Sequence, residues 1–101
     1  MNKIVLITGC SSGIGLATAV VLSKSGYKVY ATLRDLSRKE KLETVENGNL
    51  EILQLDVTDE ASIINAVQNV ISKEGRIDIL INNAGYGLRG TIESVTIDEI
   101  R

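Results

Sequence analysis

Residues 3–15 read Lys3-Ile4-Val5-Leu6-Ile7-Thr8-Gly9-Cys10-Ser11-Ser12-Gly13-Ile14-Gly15. The continuous apolar run within Lys3–Thr8 has the composition of a strand buried on both faces, as in a parallel sheet covered by helices. Gly13–Ser25 follows with Ile14, Ala17, Val21 and Leu22 at helical spacing, and Gly26 stands just past its end as a stop signal. Strand, glycine loop and helix N-terminus in that order bring backbone N–H groups and a positive helix end together, which suits an anion. Ser11 and Ser12 add hydroxyl donors to the loop, although an isolated S-S-G also serves as an ordinary turn or N-cap. Gly15 is expected to let the helix lie close against the sheet.

Working outward, the same alternation repeats. Lys28–Leu33 reads as a second strand. Ser37-Arg38-Lys39-Glu40 matches the S-x-x-E capping box and predicts a short helix with Leu42 and Val45 on one side. Leu50–Leu55 is a third strand. Thr58 is the expected cap of the next helix, with Asp59 and Glu60 in its positive first turn. That helix carries Ile63, Ile64, Val67, Val70 and Ile71 as its apolar face and closes at Gly75. Ile77–Ile81 is a fourth strand. An order of β-α-β-α-β-α-β implies parallel strands joined by right-handed crossovers. The expected fold is α/β, a Rossmann-type doubly wound sheet with strand order 3-2-1-4 and a ligand crevice between strands one and four. Gly9, Gly13 and Gly15 follow strand one, and Gly85, Gly87 and Gly90 follow strand four. Six of the nine glycines therefore flank that crevice, where they let backbone approach a ligand closely.

Composition narrows the chemistry. The 101 residues hold 11 Lys and Arg, 13 Asp and Glu, one Cys and no His. A net charge of −2 without a basic run argues against a nucleic-acid or anionic-membrane surface. Without His, Ser-His-Asp and Cys-His catalysis and His-containing metal sites are excluded, and no metal is expected. Cys10 alone forms no intrachain disulfide and reads as a small buried filler. The N-terminus lacks a secretory h-region and no apolar stretch reaches about 20 residues, so the expected location is cytoplasmic.

Thr96-Ile97-Asp98-Glu99 is a further capping box that announces a helix, with Ile100 and Arg101 after it. Strand four also has no predicted neighbour on its outer edge. Both features predict that residues 1–101 are the front portion of one longer nucleotide-binding domain, truncated before the later strands.

The loop is neither G-x-G-x-x-G, since Thr18 stands three residues after Gly15, nor a phosphate loop with G-K-[ST]. It matches T-G-x-x-x-G-x-G. With Asp56-Val57 after strand three, Asn82-Asn83-Ala84-Gly85 after strand four and Arg34 after strand two, the chain resembles the short-chain dehydrogenase/reductases along essentially its whole length. Tyr30–Leu36 and Gly85-Tyr86-Gly87 look most like the branch containing 17β-hydroxysteroid and retinol dehydrogenases. The resemblance implies an oxidoreductase that exchanges hydride between nicotinamide and an alcohol or carbonyl substrate, working as a homo-oligomer when complete. It implies cofactor contacts at Gly9, Ser11, Ser12, Gly13, Ile14 and Gly15. It places the adenosine ribose near Arg34, adenine near Asp56 and Val57, and the ribose and nicotinamide side near Asn83, Ala84 and Gly85. Asn82 reads as structural, tying neighbouring loops, while Tyr86 either touches substrate or shields the loop. Asp56 either contacts adenine or simply ends its strand.

An NAD site wants a carboxylate at the end of strand two, which would repel a 2′-phosphate. Leu33 occupies that position and Arg34 follows as a planar phosphate clamp, so NADP is expected over NAD. Asp35, one residue on, is the competing element: it either reads the ribose or starts the next helix. The Tyr-x-x-x-Lys pair that the family uses for proton transfer is not present, since Tyr27, Tyr30 and Tyr86 are followed at +4 by Ala31, Arg34 and Gly90. No catalytic residue is therefore expected within the chain, and residues 1–101 alone are expected to be inactive. A non-catalytic nucleotide-binding or regulatory module on the same fold is the alternative.

Overall fold

The computed structural model describes residues 3–10, 13–45, 48–83 and 93–95, with Lys41 and 93–95 described by backbone alone. Its elements run β1 (Ile4–Ile7), α1 (Gly13–Lys24), β2 (Lys28–Leu33), a 3-10 turn (Leu36–Arg38), α2 (Glu40–Glu43), β3 (Leu50–Gln54), α3 (Glu60–Glu74), β4 (Ile79–Asn82) and β5 (Glu93–Val95). The sheet order is β3-β2-β1-β4-β5. The first four strands are parallel in the expected order, with Val5 of β1 opposite both Val29 of β2 and Ile79 of β4.

One expectation is corrected at the edge. The outer side of β4 is paired: β5 runs antiparallel along it, with Leu80 opposite Val95 and Asn82 opposite Glu93. Glu93-Ser94-Val95 is too short and too polar to announce a strand by alternation, so it escapes a pattern search. The helix expected from Thr96 lies outside the described residues.

All four residues of β1 are buried, and their alternation feeds two cores. Val5 and Ile7 join Val29, Ala31, Leu33, Ala19 and Leu42 on the α1 side. Ile4 and Leu6 join Tyr30, Leu55, Ala66, Val70 and Ile77 on the α3 side. Period two in the strand thus places one apolar residue after another on opposite faces.

The helices differ from the sequence reading in which stripe they bury. In α1 the buried residues are Gly15, Ala19 and Ser23, while Ile14 and Val21 are 55% and 61% exposed. Small residues face the sheet because the helix sits close to it, Leu16 and Leu22 pack against the core beside them, and Ile14 and Val21 turn outward. In α3 Ala66 and Val70 are buried, and Ile63 and Val67 pack against them, but Ile64 and Ile71 face out.

Caps were also reassigned by geometry. Asp59, not Thr58, caps α3 by accepting the Ala61 N–H at 3.0 Å. Gly75 closes that helix in the left-handed region at φ 82°. The expected capping box at Ser37 does not form. Asp35 instead accepts the Ser37 N–H at 3.0 Å and starts the 3-10 turn, and α2 begins at Glu40 without a side-chain cap.

Candidate functional site

The C-terminal ends of β1, β2, β3 and β4 meet where the sheet order changes direction. Thr8 leaves β1 with its N–H on the Ile81 carbonyl at 3.0 Å. Gly9 then turns at φ 69°, and the Cys10 N–H reaches across to the Thr32 carbonyl at 2.9 Å. Thr32 returns the tie by donating its hydroxyl to the Ile7 carbonyl at 2.8 Å. Gly13, at φ 65°, opens α1. Apart from its chain neighbours and its own helix, nothing among the described residues lies within 4 Å of where its Cβ would stand.

A second set of bonds joins this loop to β4. The Thr8 hydroxyl donates to Asn82 Oδ1 at 3.0 Å and accepts the Asn83 N–H at 2.9 Å. Asn83 Nδ2 donates to the Gly9 carbonyl at 3.3 Å. A Cβ on Gly15 would overlap that same Gly9 carbonyl and stand 2.5 Å from Asn83 Nδ2. Gly15 therefore lets α1 approach the loop, as expected, and Asn82 ties neighbouring loops, also as expected. Asn83 spends its amide nitrogen on the loop. Thr8 and Thr32, which the sequence reading did not single out as site residues, prove to be the hubs of this arrangement.

Cys10 is fully buried, with its thiol against the Ile7 and Thr8 carbonyls. Burial pushes its pKa up to about 12, so the thiol stays protonated and serves as packing.

Around the N-terminus of α1 the charge balance favours an anion: its first turn contains no acidic residue. At the end of β2, Leu33 is buried and Arg34 is exposed. The Arg34 carbonyl accepts from Gln54 Nε2 at 3.1 Å, which fixes the backbone at that point. Asp35 holds the Ser37 N–H, and the bonds to Ser37 lower its pKa. Its carboxylate thus starts the 3-10 turn, the second of the two roles open to it.

After β3, Asp56 Oδ1 accepts the Thr58 N–H at 2.9 Å and the Thr58 hydroxyl at 2.6 Å. These bonds hold its pKa down, with the Arg34 charge adding to the effect. Beside this corner an apolar cleft of about 160 Å³ opens between α3 and the sheet, lined in part by Leu55, Val57, Val67, Leu80 and Asn82.

Of the expected site residues, Gly9, Gly13, Ile14, Gly15, Arg34, Asp56, Val57 and Asn83 gather along this one end of the sheet. Ser11, Ser12, Ala84 and Gly85 lie outside the described residues, as do Tyr86, Gly87 and Gly90. No helix among the described residues is long and apolar enough to cross a membrane.

A family profile described as short chain dehydrogenase matches residues 3–101. The chain belongs to the short-chain dehydrogenase family. It is 46% identical over 99 residues to a 3-ketodihydrosphingosine reductase of Bacteroides thetaiotaomicron, covering 97% of this chain and 34% of that protein. It is 47% identical over 108 residues to human 17-beta-hydroxysteroid dehydrogenase type 1, covering 98% of this chain and 32% of that one. This agrees with the branch the sequence resembles. Among solved structures, a 3-ketoacyl-(acyl-carrier-protein) reductase of Brucella melitensis, complexed with NADH, superposes with a TM-score of 0.70 and 35% identity. That superposition covers 77% of this chain and 32% of the reductase. The chain thus spans about a third of the length of these short-chain dehydrogenase relatives.

Proposed function

We propose that this chain is the cofactor-binding part of an NADP-dependent short-chain oxidoreductase that moves hydride between nicotinamide and an alcohol or carbonyl carbon. The observation that carries the reading is the acid-free α1 N-terminus, opened by Gly13 and held in place by the Asn83–Gly9 bond, with Arg34 at the neighbouring strand end. When bound, the cofactor supplies the hydride. The chain's own part is to hold it. Backbone N–H groups of the Gly9–Gly15 loop, with Ser11 and Ser12, face the pyrophosphate. Asp56 and Val57 face adenine, and Asn83, Ala84 and Gly85 face the ribose and nicotinamide side. Residues 1–101 hold no Tyr-x-x-x-Lys pair of their own.

Preference for NADP rests on three residues. Leu33 offers no carboxylate to the ribose hydroxyls, Asp35 is engaged with Ser37, and Arg34 is exposed with a guanidinium suited to a 2′-phosphate. The test is a titration of the intact protein with NADPH and NADH, before and after Arg34→Ala. Loss of one charge-assisted contact is expected to weaken NADPH by about tenfold or more and to leave NADH within about twofold. Unchanged NADPH affinity, or tighter binding of NADH by the natural protein, would refute the assignment.

A further inference from the structure

The corner between β3 and α3 is held from three sides. The last residue of β3 in register with β2 is Gln54, opposite Leu33. One residue on, the Leu55 N–H still reaches the Leu33 carbonyl at 2.9 Å. The next N–H, that of Asp56, points the other way, to the outer edge of β3, where no strand of the described sheet pairs with it. The Ser62 hydroxyl oxygen accepts it instead, at 2.9 Å. The Asp56 carbonyl accepts the Asp59 N–H at 3.0 Å, and its carboxylate holds Thr58.

These partners are not equivalent. Thr58 belongs to the corner and moves with it, and Asp59 is the N-cap at the edge of α3. Ser62 lies inside α3, whose Ala66 and Val70 are buried in the core. Its hydroxyl is therefore the side-chain bond that ties the Asp56 N–H to the helix itself, beyond its cap. A site residue is placed reproducibly only when its support is itself fixed by packing.

We infer that Ser62 is a positioning residue for the adenosine half of the cofactor site, acting through the Asp56 N–H. The inference rests on the reading that Asp56 and Val57 face adenine. Without the hydroxyl, Asp56 keeps its bonds to Thr58 and to the Asp59 cap but loses its side-chain tie to the first turn of α3, and the corner samples orientations that do not meet the base.

The test uses the intact protein and 2′,5′-ADP, which carries the adenosine half without nicotinamide. Ser62→Ala is expected to weaken 2′,5′-ADP by about three- to tenfold, the scale of one neutral hydrogen bond, and Ser62→Thr to restore it. Urea unfolding of the same variants separates positioning from plain stability. Full affinity in the Ala variant, with or without a lower unfolding midpoint, overturns the inference, and so does failure of Thr to rescue a weakened site. Should Ser62→Ala not fold, Ser62→Thr and Ser62→Val, alike in shape, make the same comparison through the hydroxyl alone. If the natural protein binds no 2′,5′-ADP, the cofactor reading fails and this inference fails with it. Natural binding with an indifferent Ala variant overturns the inference only.

Discussion

Replacing Gly15 by Ala sets two effects of opposite sign against each other. Gly15 lies inside α1, where intrinsic propensity favours Ala by about 1 kcal/mol. Its surroundings oppose the change. The new Cβ would overlap the Gly9 carbonyl and lie 2.5 Å from Asn83 Nδ2. The first obstacle is backbone, so relief requires α1 to back away from the sheet or the glycine loop to shift. Overpacking of this kind costs about 1–3 kcal/mol. Displacing Asn83 from the Gly9 carbonyl costs about 1 kcal/mol more. The steric side wins, and Gly15→Ala is expected to destabilise the intact protein by about 1–3 kcal/mol. Urea unfolding should show a lower midpoint at unchanged slope, and NADPH titration a weaker site. Gly26→Ala is the control: at φ 97° with open space around it, it strains the backbone far from the loop. It should lower stability without changing cofactor affinity. A Gly15→Ala protein as stable as the natural one, binding NADPH equally well, would refute the close-packing argument.

Two further outcomes are expected. Thr8→Val removes the hydroxyl that joins Asn82 to the Asn83 N–H, and should cost about 1–3 kcal/mol in unfolding experiments, while Thr8→Ser should recover most of it. Cys10 should resist thiol-modifying reagents at pH 8 in the folded protein and react once urea unfolds it. Its folded pKa of about 12 lies above the ordinary 9.0, so the folded state holds the proton that the unfolded state releases. Its contribution to stability is complete below pH 9. It should decline by about 1.4 kcal/mol per pH unit from there towards 12, and Cys10→Ala should make the alkaline fall shallower by that share, leaving the part due to the raised Tyr30 hydroxyl.

The strand order was legible because β1 is a continuous apolar run and further short strand-like runs alternate with helical spacing, a pattern with one economical topology. The site's location followed from glycines on both sides of the reversal point. What periodicity could not resolve was rotation: α1 is apolar nearly all round, so the stripe Ile14, Ala17, Val21 and Leu22 looks as good as the one it buries, and of these Leu22 packs against the core. Gly15, Ala19 and Ser23 face the sheet because they are small, and hydrophobicity does not rank them. Caps failed for a related reason. Ser37 and Thr58 have the right residue type, but Asp35 and Asp59 carry charged acceptors two residues before the N–H groups they bind. Ser62 was invisible because apolar patterning does not say which N–H groups at the end of β3 face its outer edge and take a side-chain partner.

The bond between Asn83 and Gly9 spans 74 residues, and this separates the time the glycine loop is made from the time it takes shape. The loop leaves the ribosome first. The Asn83 amide that its Gly9 carbonyl accepts arrives only with the end of β4. At about 5–20 residues per second, synthesis of the intervening chain takes roughly 4–15 s. During that interval Gly9 and Gly13 lack the partner that holds the loop against the sheet. The shape of the glycine loop is therefore settled late, by a residue made long after the loop itself.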